Sequence, residues 1–377
     1  MTATSLAPAA PARLAVAGRL SSLDRFLPLW IFLAMGVGIL LGRVFPGLGA
    51  VLDRVQVAGV SVPIAIGLLW MMYPVLARVR YESIGQHVAN RKLLGISLIF
   101  NWVLGPIVMF ALAWAFLPDL PAYRNGLILI GLARCIAMVL IWNTLACGSN
   151  ELAAVLVALN SLFQILMYSV LGWLFLSVVP GWFGAETAVV QVSMWAIAKS
   201  VLIFLGVPLL AGYLTRRMLV ARHGEAWYTG VFMPKFGPTA LVGLLYTIVL
   251  MFAMQGSRII QLPLDVLRIA APLVVYFFVM FGLAFTVSRR LGFGYQETAS
   301  LSFTAAGNNF ELAIAVAVAT FGISSGEALA GVVGPLIEVP VLIGLVYVSL
   351  WAGRRYFGFT PAGVDGPSQA SVMAHEP

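Results

Sequence analysis

The sequence predicts an all-α membrane protein of ten transmembrane helices, built as two inverted repeats of five helices with crossed, discontinuous fourth and ninth helices. Three observations predict this fold. Hydrophobic residues make up 61% of the 377 residues and charged residues only 10%, with a mean hydropathy of +1.00, which excludes an ordinary soluble domain. Ten apolar segments are long enough to cross a bilayer, and polar residues interrupt two of them at equivalent positions.

The ten apolar segments each hold roughly 17–25 residues, the length that crosses a hydrocarbon core as a helix. Because lipid offers no hydrogen bonds to an irregular backbone, all ten are predicted to be helical. They run near residues 27–45, 57–77, 94–117, 126–147, 152–177, 196–215, 236–256, 267–288, 298–321 and 328–352. The chain then divides into a disordered cytoplasmic tail, a first repeat, an extracytoplasmic connector, a second repeat and a second disordered cytoplasmic tail: 1–26, 27–177, 178–195, 196–352 and 353–377.

Lysine and arginine residues predict the orientation, because cytoplasmic loops of membrane proteins are enriched in them. With the N-terminus inside, the inner segments hold 15 of these residues and the outer segments hold 6. Both termini are therefore expected in the cytoplasm, with the chain in the cell (inner) membrane as a multi-pass protein. The net charge of +8 follows from this asymmetry, and nucleic acid is not expected as a partner.

Two stretches of the chain, 174 positions apart, align without a gap and predict an internal repeat. In this register residues 133–135 correspond to residues 307–309, and Gln164 corresponds to Glu338. A repeat unit of five helices is odd, so the second unit must cross the membrane in the opposite sense to the first. Interrupted apolar segments at matching positions in two halves are typical of the substrate site of a secondary transporter.

Ionisable residues at the predicted membrane midplane are the first candidate site residues. Arg134 lies near the centre of the fourth segment, Glu311 near that of the ninth, and Glu338 near the middle of the tenth. Each costs at least ~2.5–3.5 kcal/mol to insert, so such residues face a partner or a polar cavity. One interpretation is a structural ion pair between Arg134 and a glutamate. The other is a site that exchanges protons or binds cations, and the two are compatible.

Amide residues extend this candidate site. Asn160 and Gln164 lie within the fifth segment, and Asn308 and Asn309 follow Gly307 near the centre of the ninth. Glycine and asparagine tolerate an unwound backbone, whose freed polar groups then line a cavity. The sequence therefore predicts a break in the ninth helix, with a merely kinked, packed helix as the alternative.

Cys135, directly after Arg134, is the candidate ligand for a soft substrate. A lone cysteine in an apolar helix is usually an inert core residue, but a neighbouring cation favours the thiolate, which binds soft acceptors such as Cu(I), zinc or trivalent metalloids. Cys147 has no such neighbour and is interpreted as structural. Trp142 and Asn143 lie about two turns beyond Cys135, so Trp142 either lines the substrate path or faces a neighbouring helix.

No phosphate loop, hydrolase motif or Cys/His cluster occurs, so neither an enzyme nor a cofactor is expected.

These residues fall in motifs that, taken together, resemble the Acr3 arsenite efflux permeases. The motifs are residues 133–139 (ARCIAMV), 142–143 (WN), 151–154 (ELAA), 157–161 (VALNS), 308–315 (NNFELAIA) and 334–340 (GPLIEVP). The resemblance covers about residues 25–355 and implies the ten-helix inverted repeat shared with bile-acid/sodium symporters. It also implies that Cys135 is the metalloid-binding thiolate and that Glu311, Glu338 and Arg134 are required. Thr144 departs from the family, many of whose members carry an acidic or amide residue there.

The resemblance implies a transporter that extrudes arsenite, and antimonite as well, from the cytoplasm by proton antiport. Its partners would be the metalloid, protons and the lipid bilayer, with no cofactor. A single As–S bond supplemented by hydrogen bonds can break in each cycle, as a carrier requires. The expected substrate site comprises Cys135, Arg134, Trp142, Asn143, Asn160, Asn308, Asn309 and Glu311, and the expected proton-coupling residues are Glu311 and Glu338.

A sodium-coupled symporter of an organic anion is the alternative function on the same fold. Its oxygen ligands would be Glu311, Asn308, Asn309 and Gln164. Replacement of sodium by choline in a transport assay distinguishes the two functions, because only the symporter requires sodium.

Overall fold

The computed structural model describes residues 26–52, 54, 56–57, 60–79, 91–182, 193–261, 263–322 and 325–359. Most of the two predicted tails and of the predicted connector lies outside the described residues, at 1–25, 183–192 and 360–377. Where the described residues overlap these predictions, the helices extend further than expected. One helix continues to Trp182 and the last continues to Phe357.

The described residues of the first half form helices and one small hairpin of two short strands. A π-helical turn at Phe100–Leu104 interrupts the helix Arg91–Phe116 without ending it. A second π-helical turn, at Leu174–Val178, lies in the helix Asn150–Trp182. The elements are α1 (Leu27–Val44), α2 (Leu48–Leu52), β1 (Gln56–Val57), β2 (Val60–Ser61), α3 (Val62–Arg78), α4 (Arg91–Phe116), α5 (Pro121–Leu132), α6 (Met138–Leu145) and α7 (Asn150–Trp182).

The second half is also helical. Three helical turns, Glu225–Trp227, the π-helical Tyr228–Phe232 and Met233–Phe236, follow its first helix. The helices are α8 (Met194–His223), α9 (Thr239–Gln261), α10 (Pro263–Arg290), α11 (Tyr295–Ala306), α12 (Phe310–Phe321) and α13 (Gly326–Phe357). A π-helical turn at Leu202–Gly206 lies within α8.

Local sequence signals account for several helix ends. Ser149 and Ser325 precede α7 and α13, and each hydroxyl accepts a hydrogen bond from the backbone N–H three residues later, at 3.2 and 3.1 Å. Such N-caps satisfy backbone donors that have no partner within the helix. Gly322 ends α12 at φ 91°, a backbone conformation that glycine adopts without a steric cost.

The composition of the helices is that of a multi-pass membrane protein. Within the described residues, six helices are long and apolar enough to cross a bilayer, and Leu29–Val44, Val62–Arg78 and Phe310–Phe321 are shorter apolar helices. Large apolar side chains such as Leu40, Leu166 and Met218 are more than half exposed, which suits contact with lipid rather than water. The fourth predicted segment falls on α5 and α6, and the ninth falls on α11 and α12. The prediction that segment 57–77 is helical throughout is wrong at its start, because Val57 and Val60–Ser61 belong to the hairpin.

The helices pack in two groups. In the first group, α1 and α3 pack against α9, and the second half of α8 packs against α3. The second group contains the paired short helices together with α4, α7, α10 and α13. Glycine allows the backbones of the first group to approach closely: a Cβ at Gly42 of α1 would lie 2.2 Å from the carbonyl oxygen of Ala253 in α9. Close approach through small residues is the usual way in which membrane helices associate.

Candidate substrate site at the crossing of two broken helices

Two breaks in the helices meet inside the second group. Residues 133–137 separate α5 from α6, and residues 307–309 separate α11 from α12. Arg134 and Asn308 form an antiparallel β-bridge. The backbone N–H of Cys135 donates to the Gly307 carbonyl at 3.2 Å, and that of Asn309 donates to the Ala133 carbonyl at 3.0 Å. This crossing, residues 133–135 and 307–309, thus satisfies backbone groups that lipid would leave unpaired.

Side chains from two long helices complete the backbone hydrogen bonds of the crossing. The backbone N–H of Arg134 donates to Oε1 of Gln164 in α7. The backbone N–H of Asn308 donates to Oε1 of Glu338 in α13 at 3.4 Å. Both contacts join residues 30 positions apart, and the two sets of partners are themselves 174 positions apart. A carboxyl group and an amide therefore perform the same structural task in the two halves.

Cys135 and Asn309 occupy corresponding positions and both contact the start of the next helix. Sγ of Cys135 accepts a hydrogen bond from the backbone N–H of Val139, in the first turn of α6, at 3.3 Å. Oδ1 of Asn309 accepts one from the backbone N–H of Leu312, in the first turn of α12, at 3.0 Å. Helix N-termini attract anionic and electron-rich ligands, so the sulfur sits where α6 offers its positive end.

Arg134 binds uncharged oxygen atoms rather than a carboxylate. Its guanidinium donates to the hydroxyl of Tyr276 at 2.9 Å, to the Ala305 carbonyl at 3.4 Å and to the Gly131 carbonyl. The ion pair with a membrane glutamate that the sequence suggested is absent from the described residues, in which neither Glu311 nor Glu338 lies within ion-pair distance of it. The physical reason is that these carbonyls end α5 and α11, and helix C-termini carry partial negative charge.

Asn308 makes the matching contacts on the other side of the crossing. Its Nδ2 donates to the carbonyls of Ile130 at 2.8 Å and Ala133 at 3.2 Å, at the end of α5. Asn308 and Arg134 therefore both satisfy the terminal carbonyls that an interrupted helix leaves without partners. The crossing is held by side-chain hydrogen bonds as well as by its backbone bridge.

The two membrane glutamates lie on the two helices that follow the second break. Glu311 is in the first turn of α12, and Glu338 is 1% exposed in α13. Glu338 accepts the backbone N–H of Asn308 at 3.4 Å, next to Gly307, whose carbonyl accepts the N–H of Cys135 at 3.2 Å. Glu338 thus contacts the crossing that holds the thiol, and Glu311 lies two residues beyond its end.

Several buried polar atoms near the crossing have no hydrogen-bond partner among the described residues. An unpaired buried donor or acceptor costs about 1–3 kcal/mol, so each of these atoms would be stabilised by a polar partner. The atoms from the predicted site residues are Trp142 Nε1, Asn160 Nδ2, Gln164 Nε2, Asn308 Oδ1 and Asn309 Nδ2.

Asn143 differs from the other predicted site residues because both of its polar side-chain atoms are occupied. Ser300 of α11 donates to its Oδ1 at 2.7 Å, and its Nδ2 donates to Oδ1 of Asn150 at 2.9 Å. Asn143 therefore connects α6 to the start of α7 and to the middle of α11. In Asn160 only one of the two polar side-chain atoms has a partner among the described residues: its Oδ1 accepts a hydrogen bond from Nε1 of Trp102 at 3.2 Å.

Comparison with known proteins agrees with this architecture. Residues 65–262 match the Sodium Bile acid symporter family. The chain belongs to this family. The arsenical-resistance protein Acr3 of Corynebacterium glutamicum is 54% identical over 343 residues, which cover 91% of this chain and 93% of that protein. The arsenical-resistance protein Acr3 of Alkaliphilus metalliredigens is 34% identical over 337 residues, with coverages of 86% and 92%. An uncharacterized transporter of Synechocystis is 36% identical over 358 residues, with coverages of 90% and 91%.

The two relatives named arsenical-resistance protein Acr3 confirm the resemblance to the Acr3 proteins that the sequence motifs indicated. These relatives span nearly the whole chain, including the second break, which lies beyond the residues that match the family. The chain is a transporter and not an enzyme, as its sequence predicted.

Three residues at this site in the symporter-family fold were missed by the sequence reasoning. They are Trp102, which contacts Asn160, Tyr276, which contacts Arg134, and Ser300, which contacts Asn143. Trp102 had a signal in the sequence, because the amide residue Asn101 precedes it inside an apolar segment. Tyr276 lies in an aromatic-rich stretch of α10 and had none.

Proposed function

We propose that this protein extrudes arsenite, and antimonite as a second substrate, from the cytoplasm by proton antiport, with Cys135 as the metalloid ligand. The observation that carries the proposal is the position of Sγ at the start of α6, within a crossing to which Glu338 is hydrogen-bonded. The names of two whole-length relatives, arsenical-resistance protein Acr3, supply the substrate.

A single thiol suits reversible binding of a trivalent metalloid. Sulfur is the soft ligand that such an acceptor prefers. Arsenous acid, As(OH)₃, exchanges one hydroxyl for the Cys135 sulfur: the As–S bond forms, one As–O bond breaks, and the thiol proton leaves with the hydroxyl as water. Within the described residues no group of three His, Cys, Asp or Glu side chains is arranged to hold a metal ion. The helix α6 separates Cys135 from Cys147, the second cysteine of the chain, so one As–S bond is available, and water reverses it when the substrate is released.

The remaining hydroxyls of the bound metalloid need hydrogen-bond partners in a buried site. Trp142 Nε1, Asn160 Nδ2 and Asn309 Nδ2 are buried donors without a partner in the described part of the chain. A guest with two hydroxyl groups would satisfy such donors, which supports a substrate site made of Cys135 and these residues. Arg134 and Asn143 would act by holding the crossing and α6 in position, since their contacts are to carbonyls and polar side chains of the protein.

Glu338 is the better supported of the two candidate coupling residues. Its oxygen accepts the backbone N–H of Asn308, the task that the amide of Gln164 performs for Arg134. Since an amide suffices for this hydrogen bond, a carboxyl group at position 338 offers something further, the ability to bind and release a proton. Glu311, in the first turn of α12, would shape the field in which that proton moves. A proton entering from outside would be driven inward by the membrane potential.

The same proposal includes the finer architecture of ten spans in two inverted repeats of five, with both termini in the cytoplasm. Support comes from the contacts that recur 174 positions apart at the crossing. The first helix group, α1, α3, α9 and the second half of α8, would then rock against the group that carries the crossing, so that access alternates between the two sides.

A sodium-coupled symporter of an organic anion is the second candidate function. One observation favours it besides the family description: Oδ1 of Asn308 is a buried acceptor without a partner among the described residues, and hard cations bind oxygen ligands. Glu311, Asn309 and Gln164 would complete such a site. The position of a lone thiol at the crossing is unexplained by this function.

Uptake into everted membrane vesicles tests the proposal. Vesicles containing the full chain should accumulate arsenite and antimonite when a proton gradient is imposed, and replacement of sodium by choline should not reduce the rate. Vesicles with Cys135→Ser are the control for diffusion and surface binding. Accumulation that requires sodium and ignores the proton gradient would favour the symporter instead.

A further inference from the structure

A groove lies between the ends of α10 and α13, away from the crossing. Its volume is about 640 Å³, within the range of about 300–1,000 Å³ that is usual for ligand sites. Buried side chains of Phe281, Phe285 and Ala352 form its floor, and exposed Trp351 and Tyr356 form its rim. An apolar floor with an aromatic rim is typical of a surface at the boundary between lipid tails and headgroups.

One end of this groove is strongly basic. Arg289 and Arg290 line it, and Arg354 and Arg355 lie in the last turn of the adjacent α13. All four side chains are exposed, and none forms an ion pair with an acidic side chain of the described residues. Helix C-termini favour cations, which accounts for a basic residue at each helix end but not for an open groove between the two ends.

Aromatic contacts hold one of these arginines at the mouth of the groove. The guanidinium of Arg289 lies 4.3 Å from the ring centroid of Tyr356 and 6.0 Å from that of Phe357. A cation–π contact of this kind orders the side chain without neutralising its charge. The guanidinium therefore remains available to an anion.

We propose that this groove binds an anionic phospholipid, with the phosphate at Arg289 and Arg290 and an acyl chain along Phe281 and Phe285. Basic pockets between membrane helices are suited to such headgroups. Gly282 leaves the apolar part open, because a Cβ added there would meet no atom within 4 Å. The site is independent of the transport function proposed above, and the proposed orientation would put it in the inner leaflet.

Native mass spectrometry of the purified full chain tests this site directly. The protein is titrated with dioleoylphosphatidylglycerol and, in parallel, with dioleoylphosphatidylcholine of the same chain length. The wild type should bind the anionic lipid at least tenfold more tightly. Replacing both Arg289 and Arg290 by Gln should weaken that binding roughly 25-fold. Each basic residue near a membrane surface contributes a similar part of the free energy of attraction to an anionic lipid, and two such contributions are lost.

Two further variants separate charge from shape. Arg217→Gln with Arg222→Gln removes two exposed arginines from α8 and should leave the affinity for the anionic lipid unchanged. Gly282→Leu fills the groove while all four arginines remain, and it should weaken binding of the anionic lipid several-fold.

Three results would overturn the proposal. The first is equal affinity for the two lipids, which would indicate ordinary lipid solvation of the protein surface. The second is equal loss in the Arg289/Arg290 and Arg217/Arg222 variants, which would indicate a general effect of net charge. The third is displacement of the lipid by free glycerol phosphate at the same concentration, which would indicate an anion site without a lipid requirement.

Discussion

The sulfur of Cys135 accepts a hydrogen bond from the backbone N–H of Val139 at 3.3 Å. A side chain that caps a helix in this way is fixed in direction, because its acceptor must face the first turn. The only other cysteine of the chain, Cys147, lies beyond the end of α6 with φ 55°. The two cysteines therefore differ in structural setting, and replacing each one tests the proposed ligand.

Cys135→Ser should abolish arsenite accumulation in everted vesicles while the protein remains folded. Oxygen is a poor ligand for a soft metalloid, but a serine hydroxyl still caps the helix, so the melting temperature should change by less than about 4 °C. Cys147→Ser is the matched control and should transport at close to the wild-type rate. Normal efflux by the Cys135→Ser protein would rule out the sulfur as ligand.

Glu338→Gln should uncouple transport from the proton gradient without disturbing the crossing. The amide oxygen of Gln164 already accepts the backbone N–H of Arg134, so a glutamine at position 338 can accept that of Asn308 in the same way. Gradient-driven arsenite uptake should fall to the level of vesicles without the protein, whereas arsenite binding measured by quenching of tryptophan fluorescence should persist. Uptake at the wild-type rate with unchanged pH dependence would contradict the assignment of Glu338.

Glu311→Gln should have a weaker effect than Glu338→Gln. Glu311 has no side-chain hydrogen bond to another described residue, so its replacement by the similarly shaped glutamine should leave the fold intact. We expect a reduced rate of uptake and a shifted pH optimum rather than complete uncoupling. The pair of variants is measured in parallel over a range of external pH. If both pump normally at every pH, neither carboxyl group couples protons.

The sequence predicted the features of the crossing that follow from residue type. Glycine and asparagine at 307–309 indicated a broken helix, and the structure has a break there. The alignment of the two repeats, 174 positions apart, paired residues 133–135 with residues 307–309. In the structure the Arg134–Asn308 bridge joins these two segments. Polar residues are so unfavourable in a membrane helix that their positions alone indicate where the backbone opens.

The ion pair between Arg134 and a membrane glutamate, one of the two interpretations that the sequence allowed, is not formed within the described residues. The guanidinium instead donates to backbone carbonyls at the ends of α5 and α11 and to the hydroxyl of Tyr276. Backbone carbonyls occur in every residue, so the residue types in a sequence do not indicate which of them will bind an arginine. Which helix ends face each other depends on the tertiary packing of four separate segments. No local pattern in the sequence contains that information.

Arg134→Lys should therefore lose both stability and transport. A purely electrostatic role of Arg134 would instead predict that lysine is tolerated. A lysine keeps the positive charge, but its ammonium cannot span the Tyr276 hydroxyl and two carbonyls as a planar guanidinium does. Thermal unfolding of the full chain should show that Arg134→Lys and Arg134→Met are both destabilised, each by at least about 3 kcal/mol, because hydrogen bonds from a charged group contribute about 1.5–3 kcal/mol apiece. A lysine variant with wild-type stability and transport would restore the purely electrostatic interpretation.

Gly105→Ala tests the same contact from the helix that packs over it. A Cβ at position 105 of α4 would lie 2.8 Å from Nη1 of Arg134 and 3.1 Å from the hydroxyl of Tyr276, whereas a Cβ at Gly95 of the same helix would meet no atom within 4 Å. Alanine is favoured over glycine inside a helix by roughly 1 kcal/mol, so Gly95→Ala should raise the melting temperature slightly. Gly105→Ala should lower it despite that gain, since the methyl group displaces the guanidinium from the hydroxyl.

The transport rates of the two variants complete this test. If the guanidinium holds the ends of α5 and α11 at the crossing, its displacement moves Cys135 relative to Glu338, and arsenite uptake should fall at least tenfold in Gly105→Ala. Gly95→Ala should transport like the wild type. Equal melting temperatures and equal rates in the two variants would mean that the Arg134–Tyr276 contact is dispensable, and that the backbone bridge to Asn308 alone positions the thiol.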